Sequence, residues 1–283
     1  MKNMLLSFFV LCIISAVLFS CSGNKNQSNS SLTSDSAMMA ADTLPYNKMA
    51  DFKFSFTIAN LPSPLDVINT VYNTNVAFDN TLLNPTDNSE KYISGYKKSL
   101  NYGIYGVDMA YIAYYGNKQD LYDYYSTSKK MAEGLGLVKT FERFTDRFKE
   151  NADNKDSVMV IVDEAYTETD KYLRTNDRLI VASFILAGSF MESLYISSSL
   201  MKSQDRISKF TSTFNKIYEQ KLVLNNLVDL FKEFKSKESA ELEADLQRVK
   251  NVYDDIKDPA QLNQEALQKI STAIAMARNN AIR

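Results

Sequence analysis

Apolar and polar positions along the chain fall into four regimes. Residues 5–19 (LLSFFVLCIISAVLF) are apolar almost without interruption, and one positive charge, Lys2, precedes them. Residues 22–44 are rich in Ser and Asn with few large apolar groups, a composition that buries too little surface to order itself. Phe52-Lys53-Phe54-Ser55-Phe56-Thr57-Ile58 alternates apolar and polar residues, the period of a strand. Beyond residue 63 the apolar positions recur at helical spacing. Leu100, Ile104, Val107, Tyr111 and Tyr114 follow a 4-3-4-3 rhythm, one stripe of a helix.

This patterning predicts an all-α, multi-helix bundle over 63–283. Lacking a partner strand, 45–62 is expected as an extended arm across it, with its phenylalanines buried on one side. Leu61-Pro62-Ser63-Pro64 ends the arm, with Ser63 a cap and Pro64 a first helical residue. Asp87 with Glu90 resembles a capping box opening a helix toward Tyr115, which Gly116-Asn117 would break. Further helices are expected over 118–133, 137–151, 156–174 and 177–202. Leu179 to Ile196 is apolar on nearly every face, yet Ser183, Gly188, Ser189, Glu192 and Ser193 make it polar for lipid. It is therefore expected to be the central buried helix. Ile207, Phe210, Phe214, Ile217, Leu224, Val228 and Phe231 form one seam; Leu242, Leu246, Val249, Tyr253 and Ile256 form a second. Asp258-Pro259-Ala260-Gln261 supplies a cap for a last helix to about Ala277. Short connections imply that these three pack antiparallel. Residues 106–137 carry the small-and-aromatic spacing of a tetratricopeptide-like helical hairpin.

The N-terminal run has the charged and apolar regions of a signal peptide over 1–20; its fifteen residues fall short of the roughly 20 a membrane-spanning helix needs. Leu18-Phe19-Ser20-Cys21, followed by Ser22-Gly23-Asn24, resembles the lipobox of bacterial lipoproteins, with Phe19 bulkier than usual. The resemblance implies a diacylated Cys21 holding the protein to a lipid bilayer. Ser22 in place of an aspartate implies sorting to the outer membrane, and the absence of acids in 22–34 favours its periplasmic face. Residues 21–44 then form the lipidated cysteine and a disordered tether with an r.m.s. reach of about 25–30 Å.

Composition removes much chemistry. The 283 residues include no histidine, which excludes Ser-His-Asp and Cys-His nucleophile arrangements and the usual His-containing metal sites. The two cysteines, Cys12 and Cys21, both lie at the N-terminus, so the helical region holds neither a disulfide nor a catalytic thiol. A net charge of −2 offers no electrostatic case for nucleic acid. No cofactor motif or phosphate loop is present.

What remains is a short set of candidates. Asp108 lies amid Tyr105, Val107, Met109 and Tyr111, and Glu192 is the one charge within the apolar helix. Acids so placed must be paired, hydrogen-bonded or protonated, and they can grip a ligand or act in catalysis; the competing reading is a salt bridge to Arg178, Lys97 or another base. Asp163, Glu164, Glu168 and Asp170 crowd one helix, where a solvated face outweighs a metal site without histidine. Asp153-Asn154-Lys155-Asp156 lacks the glycine and glutamate of a calcium loop, so Asp156 reads as a cap. Tyr111, Tyr114, Tyr115, Tyr122, Tyr124 and Tyr125 form the densest aromatic cluster, either core or a binding face.

With the lipobox, the LPSP turn at 61–64, the LNYGIYGVDMAYIAYY segment and the LIVASFILAGSFMESLYI helix, the chain resembles uncharacterised all-helical lipoproteins of Bacteroidota over most of 50–283. The resemblance implies an envelope location and a helical fold, and it carries no catalytic residues. The expectation is a non-catalytic binding or scaffold protein without cofactor or metal, whose partner is another envelope protein met through the tyrosine-rich hairpin or the C-terminal bundle. The alternative is a small-ligand carrier or carboxylate-only enzyme, which requires Asp108 and Glu192 to share one pocket.

Overall fold

With few prolines and glycines to interrupt it, the chain is helical nearly throughout the residues described in the computed structural model, 45–60 and 64–283. The expected signal peptide over 1–20, Cys21, the expected tether to 44 and Leu61-Pro62-Ser63 lie outside the described residues. Among those described are eleven α-helices and no strand: α1 (Lys48–Asn60), α2 (Pro64–Tyr72), α3 (Gly95–Tyr115), α4 (Lys118–Gly134), α5 (Val138–Glu142), α6 (Thr145–Asn151), α7 (Lys155–Thr175), α8 (Leu179–Met201), α9 (Thr211–Phe231), α10 (Lys237–Asp254) and α11 (Gln264–Ile282). The fold is an all-α multi-helix bundle. Short 3₁₀ turns occupy Asn80–Leu82, Thr86–Lys91 and Pro259–Gln261.

Local chemistry explains where the helices begin. Ser94, Asn117, Asn154, Ser236 and Asn263 each accept a hydrogen bond from a backbone N–H of the first turn, and such caps stabilise a helix by about 1 kcal/mol. Gly116 ends α3 in the left-handed region at φ 76°, so α3 and α4 form the hairpin that the Gly116-Asn117 break predicts. Several boundaries differ from expectation. Asp87 and Glu90 lie in a 3₁₀ turn, and α3 starts at the Ser94 cap instead. Asn154, not Asp156, caps α7. Residues 137–151 divide into α5 and α6. Asp258 caps only a 3₁₀ turn; α11 starts at the Asn263 cap and runs past Ala277 to Ile282.

The largest correction concerns the arm. Residues 48–60 form α1 rather than an extended segment. Ala50, Phe54 and Thr57 are buried at i, i+4 and i+7, while Phe52 and Phe56 stay exposed. Period two and period 3.6 share the spacing of four, so the alternating phenylalanines fit both. Ala50 and Thr57, on the inner face, decide for the helix.

At the centre lies α8, where every residue but Leu179, Tyr195 and Ser199 is buried. Its length and hydropathy would suit a membrane span, but helices surround it. Against it packs α3. The contacts Tyr96–Phe184, Leu100–Gly188 and Gly103–Ser189 advance together along both helices, so α3 and α8 run in the same direction. Two glycines permit the close approach: a Cβ on Gly188 would lie 2.0 Å from the Leu100 carbonyl oxygen, and one on Gly103 2.2 Å from that of Ile185. The C-terminal seams pack from Phe210 onward, with Leu224, Leu246 and Ile270 completely buried, whereas Ile207, expected in the first seam, lies before α9 and is exposed. Tyr253 of α10 donates a hydrogen bond back to the Ile217 carbonyl of α9 at 2.8 Å.

Candidate functional site

The α3–α8 contact brings Asp108 and Glu192 together, both with no exposure at all. Between them and the outside stands Arg278 of α11. Its Nε donates to Glu192 Oε2 at 2.5 Å and its Nη2 to Oε1 at 2.7 Å, a two-pronged pairing that fixes both planes. Nη2 also donates to the Leu82 carbonyl at 2.9 Å, and the guanidinium lies over the Tyr195 ring, 4.3 Å from its centroid. The partner of Glu192 is therefore Arg278. Arg178 instead donates to the Leu135 carbonyl at 2.8 Å, and Lys97 reaches the Ala281 carbonyl at 3.2 Å.

Asp108 is held differently. Its Oδ2 accepts the Asn84 N–H at 3.2 Å, while Oδ1 is buried with no donor among the described residues. Burial, then the adjacent Glu192 charge and the hydrogen bond to it, push the Asp108 carboxyl well above the usual carboxylate range, outweighing Arg278. Two ionised acids with one arginine would leave a net negative charge in the core, which is costly. Raising the Asp108 pKa lowers that cost, because it favours the neutral form of one of the two acids.

Around this centre the polar atoms satisfy one another. The Asn84 side-chain amide donates to Asn101 Oδ1 at 3.1 Å, the Asn101 amide donates to the Ala281 carbonyl at 3.0 Å, and Tyr92 donates to the Ile282 carbonyl at 3.2 Å. The network thereby ties the last helix to α3, α8 and the 3₁₀ segment. Chemically it is a buried acid–arginine cluster in which Arg278 bonds both Glu192 oxygens directly. Sequence reading missed Arg278, Asn84 and Asn101. A signal for Arg278 existed: it continues the stripe Leu267, Ile270, Ile274 and Ala277 of α11, a charge on a buried face. Ending the helix at Ala277 concealed it.

The tyrosine cluster is mostly interior. Tyr111, Tyr114 and Tyr124 are buried, Tyr115 and Tyr125 are half-buried, and Tyr122 is 39% exposed. Their hydroxyls serve the fold: Tyr111 accepts the Asp79 N–H at 2.8 Å, Tyr115 donates to the Val76 carbonyl at 2.7 Å, and Tyr125 pairs with Thr145 Oγ1 at 2.7 Å. Burial raises the Tyr111 and Tyr124 hydroxyls above their ordinary range, so both are neutral near pH 7. Of the two readings of the cluster, core and binding face, most of these tyrosines thus follow the first, with Tyr122 left exposed. Beside it, an apolar cavity of about 50 Å³ is lined by Tyr102, Gly106, Met109, Tyr125, Phe148 and Tyr166, among others.

The acidic helix is a solvated face. Glu164 pairs with Arg147, and Glu168 with Arg143 at 2.8 Å. Asp170 lies 4.0 Å from Arg174, and its pKa is raised to about 6, mainly by burial. Asp153 pairs with Lys118, and Asp156 with Lys155 at 2.6 Å. Among the described residues, no group of acids converges as metal ligands would.

The fold and its central cluster thus define the class: an all-α bundle locked by a buried acid–arginine network. No protein family, no curated protein and no solved structure matches the chain.

Proposed function

We infer that the protein is a lipid-anchored envelope protein that acts as a non-catalytic scaffold, held to the outer membrane through Cys21 and facing the periplasm. The observation that carries the non-catalytic part is the sealed Asp108–Glu192–Arg278 cluster. Its acids converge, as a carboxylate enzyme or ligand carrier would need, but both oxygens of Glu192 are already taken by Arg278. The anchor rests on the Leu18-Phe19-Ser20-Cys21 motif and the polar stretch behind it.

Two measurements test this reading. Metabolic labelling with palmitate should label the wild type and not Cys21→Ser, and the variant should leave the membrane fraction; equal labelling overturns the anchor. Cross-linking in intact envelopes should capture a stoichiometric protein partner with the wild type and equally with Asp108→Asn. A small molecule released on denaturation, with no protein partner, overturns the scaffold in favour of a ligand carrier.

A further inference from the structure

Of the helices in this bundle, α1 carries apolar residues on two faces. The inner face is fixed to the body with care. Ala50, Phe54 and Thr57 are buried. On one flank Lys53 pairs with Glu233 at 2.5 Å and donates to the Asp229 carbonyl at 3.1 Å. On the other, Arg174 donates to Asp51 at 3.1 Å and to Ser55 at 2.9 Å. The Asn47 side chain caps the helix through the Met49 and Ala50 N–H groups and donates to the Glu233 carbonyl at 3.1 Å. The helix is therefore held in one orientation.

That orientation turns a second apolar face to solvent. Met49, Phe52 and Phe56 follow i, i+3 and i+7 spacing, which places them within one arc of the helix, and they are 51%, 64% and 49% exposed. The Phe52 and Phe56 rings stack at 6.3 Å, and Tyr46, just before the helix, is 67% exposed. The stripe contains no carboxylate, and Asp51 beside it is tied to Arg174; Lys48 is exposed at its N-terminal end. Aromatic and methionine side chains flanked by tyrosine and lysine are the residues that rest in the boundary layer of a bilayer.

We propose that the outer face of α1 lies on the lipid bilayer and orients the bundle there as a second contact. The proposal rests on the lipid-anchored reading in one respect. Cys21 precedes the helix by 27 positions, so the acylated cysteine would hold α1, the first described helix, nearest the surface. Burying such a face removes only a few large side chains from water. That is weak for capture from solution but effective once a tether raises the local concentration.

The chain has no tryptophan, so Phe52→Trp is a single reporter. The full-length acylated protein is reconstituted in phosphatidylethanolamine–phosphatidylglycerol vesicles, with Met276→Trp, exposed on α11, as control. The expected result is a blue-shifted emission for Phe52→Trp, quenched several-fold more strongly by acyl-chain-brominated lipid than the control. Equal quenching of the two in protein that floats with vesicles overturns the proposal and leaves the anchor standing. Protein that fails to float, with an unmodified Cys21 by intact mass, overturns the anchor instead. The same variant is then held on nickel-chelating vesicles by a His tag replacing residues 1–21, and the comparison is repeated with the same two outcomes. A blue shift already present without lipid, together with a dimer in light scattering, assigns the face to a second copy of the chain and overturns the proposal.

Discussion

The centre of the bundle and the outer face of α1 break the same rule in opposite directions. Asp108, Glu192 and Arg278 put charged side chains where burial is complete; Met49, Phe52 and Phe56 put large apolar ones where water reaches. The inner exception is compensated within the chain. Each guanidinium nitrogen that bonds has a named acceptor, and burial beside Glu192 pushes the Asp108 carboxyl well above the usual carboxylate range. The outer exception has an inner side bonded to the body, while Met49 and Phe52 on its outer side stay more than half exposed. Compensation within the chain marks a structural role, and its absence directs attention to something outside the chain.

The largest expected effect tests the inner half of this comparison. Arg278→Met leaves Glu192 buried without its counter-charge, and breaking such a pair costs about 3–5 kcal/mol. Urea unfolding should show that loss, and Arg278→Met/Glu192→Met should regain most of it, because paired removal leaves no orphaned charge. A single variant within about 1 kcal/mol of wild type would mean the lock contributes little.

A smaller effect concerns the proton on Asp108. With its folded pKa raised above the ordinary value, both states are protonated at low pH. Above about pH 4 the unfolded chain ionises while the folded one keeps its proton. The stability this group contributes is therefore lost as pH rises through that window, until the folded pKa is reached. Asp108→Asn cannot titrate and its amide can still donate to Glu192. Its melting temperature should fall less steeply than that of wild type between pH 4 and 7, and should equal or exceed it at pH 7. A variant much less stable than wild type at pH 7 would show Asp108 to be ionised.

The smallest effect belongs to the outer half. Phe52→Ser should alter stability by no more than about 0.5 kcal/mol, the usual range for surface positions. A larger loss in chemical unfolding would reveal that Phe52 packs against the chain after all.

The all-α class, the Gly116-Asn117 break, the buried character of α8 and the importance of Asp108 and Glu192 were legible in the sequence. Each follows from local chemistry: helical spacing, a left-handed glycine, or the cost of placing an acid among apolar neighbours. The tyrosines of α4 were open between core and binding face, and the structure buries Tyr124, half-buries Tyr125 and leaves Tyr122 exposed. Of the α1 phenylalanines expected inside, Phe54 is buried while Phe52 and Phe56 are exposed. Both segments are aromatic and amphipathic, and spacing alone does not say which side of a helix the bundle will cover.

What the sequence determined by itself is thus which stretches become helices, where most of them start, and that two acids needed partners. What only the tertiary structure decided is that the partner is Arg278, 86 positions beyond Glu192, that burial beside Glu192 raises the pKa of Asp108, and that α1 is clamped with Phe52 outward. Helix formation depends on neighbours three and four residues apart, whereas the pairing of buried charges and the choice of an exposed face depend on packing between elements distant in the chain.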